Sequence, residues 1–207
     1  YEYLGFSEHN PSISKHTTKQ MYYLIARRNE NVDKASSSLK SVRAFKLLEI
    51  DILTDGNLAI DNKCLSLLDG ALVSIHSSFS MDKKRMTERV LRGLSDPKAK
   101  ILSHPSGRLI NQREGYDLDW EKIFDFAKRH HKALEINAWP LRLDLKDTLV
   151  KEAVRMGVML TIDTDSHALE QMDMMRYGVA VARRGWATKN DILNTMKYNT
   201  VNKWFHK

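Results

Sequence analysis

Cysteine and long apolar segments are scarce in this chain. The single cysteine, Cys64, has no second thiol with which to form an internal disulfide, and its leucine-rich surroundings predict a buried thiol in a reducing compartment. No activating base that would make it a catalytic cysteine can be identified near it. No apolar run approaches the roughly 18 residues that a membrane-spanning helix needs, and no secretory signal is visible. We therefore expect a cytoplasmic protein with no membrane partner.

The composition is that of a folded chain. Its 207 residues are 42% hydrophobic and 29% charged, enough to bury the core of one large α/β domain. No low-complexity linker divides it, so we expect a single domain over residues 1–207. The first residue, Tyr1, already reads as part of a strand, and we expect that an upstream part has been lost. The net charge of +7 and the pI of about 9.4 are compatible with a polyanionic partner such as nucleic acid.

Short apolar segments alternate with amphipathic ones along the whole chain. Strands separated by helices imply parallel pairing, and continuous apolar runs are expected of a sheet buried on both faces. A closed or nearly closed barrel and an open doubly wound sheet both fit this pattern. The predicted strands are 1–7, 44–53, 71–76, 99–103, 133–138 and 158–163, and the predicted helices are 18–40, 63–68, 82–94, 119–131, 147–156, 171–184 and 188–205.

Metal-capable side chains stand at the end of every predicted strand. They recur at intervals of roughly 30 residues, about the length of one βα unit. Because the carboxyl ends of parallel barrel strands meet at one face, we expect these side chains to converge there. Imidazole and carboxylate groups together suit zinc, manganese or iron(II) better than calcium. The side chains are Glu8, His9, Glu49, Asp51, His76, His104, Glu135, Asp163, Asp165 and His167.

Each histidine also has an ordinary structural interpretation. His9 is compatible with a helix or loop cap, His76 with a satisfied core histidine, and His104 with a turn before Pro105. The joint occurrence at strand ends favours metal binding over these separate interpretations. Asp165 and His167 form the stronger local signal, since two ligand types two residues apart converge easily. The remaining histidines are predicted to be surface residues: His16, His130, His131 and His206.

Glu49 and Asp51 point to the same face of their strand because the side-chain period of a strand is two. One of them is therefore expected to bind metal while the other supports it by hydrogen bonding.

Eight stretches carry a resemblance to the PHP (polymerase and histidinol phosphatase) domain. The chain is most similar to the C-terminal PHP domain of bacterial and archaeal family X DNA polymerases, over essentially its whole length. The stretches are 6–11 (FSEHNP), 48–53 (LEIDIL), 74–77 (SIHS), 104–109 (HPSGRL), 135–138 (EINA), 142–145 (RLDL), 163–167 (DTDSH) and 176–186 (RYGVAVARRGW).

The resemblance implies a distorted, TIM-like (β/α)7 barrel with up to three metal ions, Mn²⁺ or Zn²⁺, at the strand carboxyl ends. The family's first strand, which carries a His-x-His pair, has no counterpart here, so we expect six of the strands and two or three absent ligands. Smaller departures are Glu8, where aspartate is common in the family, and Trp139, where the family often has a small polar residue. The ligands that the resemblance implies are His9, Glu49, His76, His104, Asp165 and His167.

The resemblance also implies hydrolysis of phosphoesters. Asp165 and Arg108 are the expected catalytic residues, with the Arg108 guanidinium binding a phosphate. The expected substrate is DNA, trimmed from its 3′ end, with a polymerase module upstream in the same chain. Three alternatives stay open: a small-molecule phosphatase of the histidinol-phosphatase type, a catalytically incomplete DNA-binding or scaffold domain, and a metal-dependent amidohydrolase.

Overall fold

The computed structural model describes residues 1–39 and 41–207, and its centre is a six-stranded sheet. All neighbouring strands are parallel, and their order in the sheet is their order in the chain. The predicted alternation of strand and helix is therefore confirmed. The strands are β1 (Tyr3–Phe6), β2 (Arg43–Asp51), β3 (Gly70–Ser74), β4 (Ala99–Leu102), β5 (Ala133–Asn137) and β6 (Met159–Asp163).

Seven α-helices connect and flank these strands within the described residues. Four of them begin at a side chain that accepts a backbone hydrogen bond from the first turn, which satisfies one of the otherwise unpaired amides there: Thr17, Asp61, Asp82 and Asp119. The helices are α1 (Thr18–Ser38), α2 (Asn62–Leu65), α3 (Lys83–Leu94), α4 (Trp120–Arg129), α5 (Asp147–Met156), α6 (Met175–Arg184) and α7 (Tyr198–Phe205).

The sheet curls into a half-barrel, which fits the expectation of a partial TIM-like barrel. Strands β3, β4 and β5 are buried along their whole length, as parallel strands covered on both faces should be. On α4, Ile123, Phe124 and Ala127 form the buried face that their spacing predicts. A smaller aromatic cluster around Phe45 and Phe205 packs α7 against β2.

The last predicted helices differ from the structure. The prediction of one helix over 188–205 is wrong, because the chain there forms a 3₁₀ turn (Leu193–Thr195) followed by the separate α7. The break has a tertiary cause: the Asn194 side chain accepts from the amide of Ile162 and donates to its carbonyl, which ties the turn to β6. The segment predicted as helix over 171–184 begins as a 3₁₀ helix (Leu169–Met174) before α6.

Other boundaries agree to within a few residues. Helix α5 has the predicted limits, and Gly157 ends it with a φ of 76°, a conformation that glycine adopts without strain. The last residue of the first predicted helix, Lys40, lies outside the described residues. In the part of the chain that the structure describes, no helix is both long enough and apolar enough to cross a membrane.

Candidate metal centre

Glu49 is the centre of the candidate site. It lies near the carboxyl end of β2. His9 follows the neighbouring strand β1 and pairs with Glu49 in a parallel β-bridge. Two backbone hydrogen bonds hold these segments together: the Asn10 amide donates to the Glu49 carbonyl (2.9 Å), and the Glu49 amide donates to the Glu8 carbonyl (3.0 Å). Parallel pairing thus fixes the position of His9 beside Glu49.

Three imidazole rings surround the Glu49 carboxylate. The Nε2 atom of His104 lies 2.7 Å from Glu49 Oε1, and the Nε2 atom of His76 lies 3.5 Å from the same oxygen. The Nδ1 atom of His9 lies 3.5 Å from Glu49 Oε2. The centroids of neighbouring rings are 4.8 Å apart for His9 and His76, and 5.0 Å apart for His76 and His104. The structure therefore brings together four of the six predicted ligands.

The electrostatics of Glu49 favour a positive partner. Burial alone would raise the pKa of Glu49, but the hydrogen bond with His104 and the charges of His104, His76 and His9 outweigh it and lower the pKa to about 2. Neutral imidazole lone pairs facing a carboxylate would repel it, so protons or a cation must lie between them. Candidate ligand atoms of His9, Glu49 and His76 lie within 4.8 Å of one another, and this nitrogen and oxygen set fits a divalent transition metal.

Asp51 supports His76. Its Oδ1 atom lies 2.5 Å from His76 Nδ1, and the Ser74 hydroxyl lies 3.3 Å from the same nitrogen. A carboxylate on one imidazole nitrogen orients the ring and makes the other nitrogen a better ligand. Of the two β2 carboxylates, Glu49 faces the histidine nitrogens and Asp51 contacts His76, while their roles at a metal stay predictions.

Glu135 holds His104 in place from the next strand. Its Oε2 atom accepts hydrogen bonds from the His104 amide and from the Ser103 hydroxyl (2.8 Å). His104 has a φ of 29°, which non-glycine residues rarely adopt, and its side chain is 2% exposed. Its Nδ1 atom is buried without a partner among the described residues. The ring orientation is therefore set by the backbone anchor and by Glu49.

Carboxyl groups accumulate beyond Glu135. Burial raises the pKa of Glu135 well above its usual value, and the charges of Asp163, Asp165 and Glu49 raise it further, against a hydrogen bond from the backbone of His104. Burial also raises the pKa of Asp163 to about 6, although the hydroxyl of Thr161 donates to it at 2.6 Å. Such crowding of buried carboxyl groups favours the presence of protons or cations.

Asp165 and His167 form a second group at the end of β6. Asp165 Oδ2 accepts a hydrogen bond from Asn137 Nδ2 (3.2 Å) and lies 3.6 Å from the Nε atom of Arg142. His167 is exposed, and its Nδ1 atom lies 2.9 Å from the Asp165 carbonyl oxygen. The six predicted ligands thus fall into two groups, with Glu135 between them.

The guanidinium of Arg108, which we expect to bind a phosphate, contacts the loop after β5. Its guanidinium donates to the carbonyl oxygens of Arg142 (2.7 Å) and Leu143, so it braces the loop after β5. Arg142, to which the sequence interpretation gave no role, has the side chain that reaches Asp165. Its guanidinium is largely buried, and one terminal nitrogen has no partner in the described part of the chain. Two sequence signals point to it: its position a few residues after Glu135 and Asn137, and its place in the stretch 142–145 that carries the family resemblance.

Asp144 is a second residue that the sequence interpretation missed. Its buried carboxylate accepts from the amide and hydroxyl of Ser106 (3.0 and 2.9 Å) and from the amide of Gly107 (3.0 Å). Burial raises the pKa of Asp144, and these hydrogen bonds and the charge of His104 partly offset that effect. Asp144 therefore connects the loop that follows His104 to the loop that carries Arg142.

Glu8, which is expected at the strand ends but is not among the six predicted ligands, has a partner outside the Glu49 cluster. Glu8 forms an ion pair with Arg28 of α1, which lowers the pKa of Glu8 against the effect of burial. Of the four histidines predicted at the surface, His16 is half-buried and contacts the Ser12 carbonyl, and the other three are exposed: His130, His131 and His206.

Six parallel strands with imidazole and carboxylate groups at their carboxyl ends define a class of α/β protein whose functional site lies at that face. The chain is 33% identical over 203 residues to the DNA polymerase/3′-5′ exonuclease PolX of Bacillus subtilis (strain 168), which covers 97% of the chain and 35% of that protein. It therefore spans about a third of the length of this relative.

Shorter relatives carry a different name. The chain is 25% identical over 175 residues to a probable phosphatase of Thermoanaerobacter sp. (strain X514), covering 80% of the chain and 69% of the relative. It is 23% identical over 161 residues to a probable phosphatase of Caldanaerobacter subterraneus, covering 73% of the chain and 60% of the relative. No family model matches the chain. These relatives suggest a PHP-type domain.

Proposed function

We propose that the chain is a metal-dependent phosphoesterase that trims DNA from the 3′ end, as the exonuclease part of a family X DNA polymerase. The observation that carries the proposal is the convergence of three imidazoles on the buried carboxylate of Glu49. The names of the relatives, a DNA polymerase/3′-5′ exonuclease and probable phosphatases, support the same reaction class.

His9, Glu49 and His76 are the residues that would hold a divalent cation, Mn²⁺ or Zn²⁺, with His104 beside them. A cation bound there would supply Lewis acidity for phosphoester hydrolysis. Asp51 keeps the Nε2 atom of His76 directed toward Glu49. In the second group, Asp165 and His167 are proposed as ligands and Asp165 as a catalytic residue.

Two arginines are proposed to share the binding of the phosphoryl group. Arg142 is the one whose side chain contacts the second ligand group, since its Nε atom lies 3.6 Å from Asp165. One of its terminal nitrogens is buried and lacks a partner among the described residues. A guanidinium matches the geometry of two phosphoryl oxygens. Arg108 holds the Arg142 loop through two backbone carbonyls, and its remaining N–H groups leave it capable of a direct contact.

A nucleic-acid substrate is supported by the name of the Bacillus relative and by the net charge of +7. A small-molecule phosphatase is the second candidate, because several relatives of shorter length are named probable phosphatases. A non-catalytic DNA-binding domain is the third candidate.

A paired assay on the metal-loaded chain separates these candidates. The purified chain is stripped of metal, reloaded with Mn²⁺ or Zn²⁺, and given a 5′-labelled single-stranded oligonucleotide or p-nitrophenyl phosphate. Stepwise shortening of the oligonucleotide, lost on removal of metal and in Glu49→Gln, is the expected result. Turnover of the small ester alone would support the second candidate. Metal binding with neither activity would contradict the proposed function.

A further inference from the structure

A groove with positive charge lies beside the candidate metal centre. It runs between the first turn of α5 and one face of α6, with a volume of about 410 Å³. Its polar walls include Arg108, Lys146 and Arg184, together with one acidic side chain, Asp147. Arg184 lies 2.7 Å from Asp147 and is largely exposed, so three cations share the groove with one carboxylate. The groove therefore keeps an excess of positive charge.

An aromatic ring lies at the same groove. Tyr177 lines it from α6 and is 39% exposed, and the guanidinium of the neighbouring Arg176 lies 5.0 Å from the ring centroid. Tyr177 and Arg184 are seven residues apart on α6, so they lie on the same face of the helix. An exposed ring beside a row of cations is the combination that binds the bases and the backbone of a single strand.

The loop after β5 connects this groove to the centre. Leu143 lines the groove, while the preceding residue, Arg142, contacts Asp165 with its side chain. Helix α6 is also seated close to the strand ends: a Cβ atom on Gly178 would lie 2.4 Å from Ile162 and 2.9 Å from Ala138. A nucleic-acid strand bound in the groove would therefore be separated by a single loop from the second ligand group, Asp165 and His167.

We propose that this groove binds the sugar-phosphate backbone and one unstacked base of a single-stranded DNA segment, next to the end that reaches the metal centre. The proposal rests on the proposed function and deepens it, because it names the residues that bind the DNA segment next to the end that is cleaved. Lys146 and Arg184 bind phosphates, Tyr177 stacks on a base, and Arg108 holds the wall between groove and centre.

The test measures binding without catalysis. The full 207-residue chain is titrated into a fluorescein-labelled single-stranded oligonucleotide in EDTA, and the anisotropy is followed over a series of salt concentrations. The variant Lys146→Gln/Arg184→Gln removes two cations from the groove. Its control, Lys128→Gln/Arg155→Gln, removes two exposed cations from the C-terminal ends of α4 and α5 and gives the same net charge.

The groove variant should bind at least about fivefold more weakly at low salt, and the slope of log K against log salt should fall by about 1.4, or 0.7 for each phosphate contact. Tyr177→Ala should weaken binding by at least about fivefold with an unchanged salt slope, because stacking is not ionic. The control variant should change affinity less than about twofold. Lys146→Gln alone, at an exposed side chain, should give half of the slope change if the double variant does not fold.

Three results would overturn the proposal. The first is no binding by the unaltered chain, and the second is an equal loss of affinity in the groove and control variants. The third is full affinity in Tyr177→Ala together with competition by polyglutamate that equals competition by unlabelled oligonucleotide. Because DNA binding is measured in EDTA, the outcome of this titration does not depend on whether the chain hydrolyses DNA. A chain that binds DNA through the groove but hydrolyses nothing when loaded with metal would contradict the proposed function and leave the groove assignment supported.

Discussion

His104 Nε2 and Glu49 Oε1 lie 2.7 Å apart, which joins the carboxyl ends of β4 and β2 in the interior of the half-barrel. Both side chains are buried, and Glu135 anchors the His104 amide from β5. Three strands therefore position one imidazole and one carboxylate. This arrangement favours a cation over an isolated ion pair, because His76 and His9 also direct nitrogen atoms toward the same carboxylate.

Replacing Asp144 with asparagine should destabilise the chain. The asparagine amide group would place its own N–H donors against the donors of Ser106 and Gly107, which now bind a buried carboxylate. We expect the free energy of unfolding in urea to fall by about 2 kcal/mol or more. The matched control is Asp147→Asn, which removes a partly exposed ion pair and should cost less than about 1 kcal/mol. Equal costs would contradict the bracing role of Asp144.

Replacing Gly178 with alanine should disturb the packing of α6 against β6. The added methyl group would lie 2.4 Å from a methyl carbon of Ile162, so the helix must move away from β6. We expect a loss of about 1–3 kcal/mol, the usual cost of overpacking a core. Val179→Ala, at a partly exposed neighbour, should change stability by less than about 0.5 kcal/mol. A Gly178 variant as stable as the original chain would rule out the close approach.

The two arginines should respond differently to substitution by lysine. Arg142→Lys removes the guanidinium whose Nε atom lies 3.6 Å from Asp165, and we expect kcat/KM on an oligonucleotide to fall at least about tenfold with an unchanged thermal midpoint. Arg108→Lys loses contacts with the Arg142 and Leu143 carbonyls, so the thermal midpoint should fall together with activity. The reverse pattern would return the direct phosphate contact to Arg108.

The Cys64 thiol should be inert in the folded chain. Burial raises its pKa to about 12, helped by the nearby Asp61 carboxylate, whereas a thiol in an unfolded chain has a pKa of about 8.5. The folded chain therefore retains the proton between these values, and the contribution of Cys64 to the free energy of unfolding decreases as pH rises through this window. We expect no reaction with Ellman's reagent near pH 8 until urea unfolds the chain. Rapid reaction before unfolding would contradict the buried position.

The strand ends were predictable from the sequence because they depend on a local pattern. Apolar runs alternating with amphipathic helices place His9, Glu49, His76 and His104 one βα unit apart, and parallel pairing brings such positions to one face. Their joint assignment as metal ligands stays a prediction, as does that of Asp165 and His167. The single domain over residues 1–207 and the family's seven-strand count also remain predictions.

Loop positions were not predictable in the same way. Arg108 and Arg142 both lie in irregular segments, and only the tertiary structure shows that one guanidinium braces the other's loop. Asp144 acts through amides nearly 40 residues away in the chain. Asn194 breaks the last predicted helix by bonding to β6, a contact that no local propensity records. Tertiary hydrogen bonds of this kind decide the parts of the site that a sequence pattern leaves open.

Metal binding to the chain and to Glu49→Gln is the measurement that tests the central claim most directly. Calorimetric titration of the metal-stripped chain with Mn²⁺ or Zn²⁺ should show stoichiometric binding, and Glu49→Gln should weaken it by at least about tenfold. Glu8→Gln is the matched control, since Glu8 pairs with Arg28 and should leave metal affinity unchanged. No binding by the unaltered chain, or equal affinity in Glu49→Gln, would contradict the claim that Glu49 and its histidines form a metal centre.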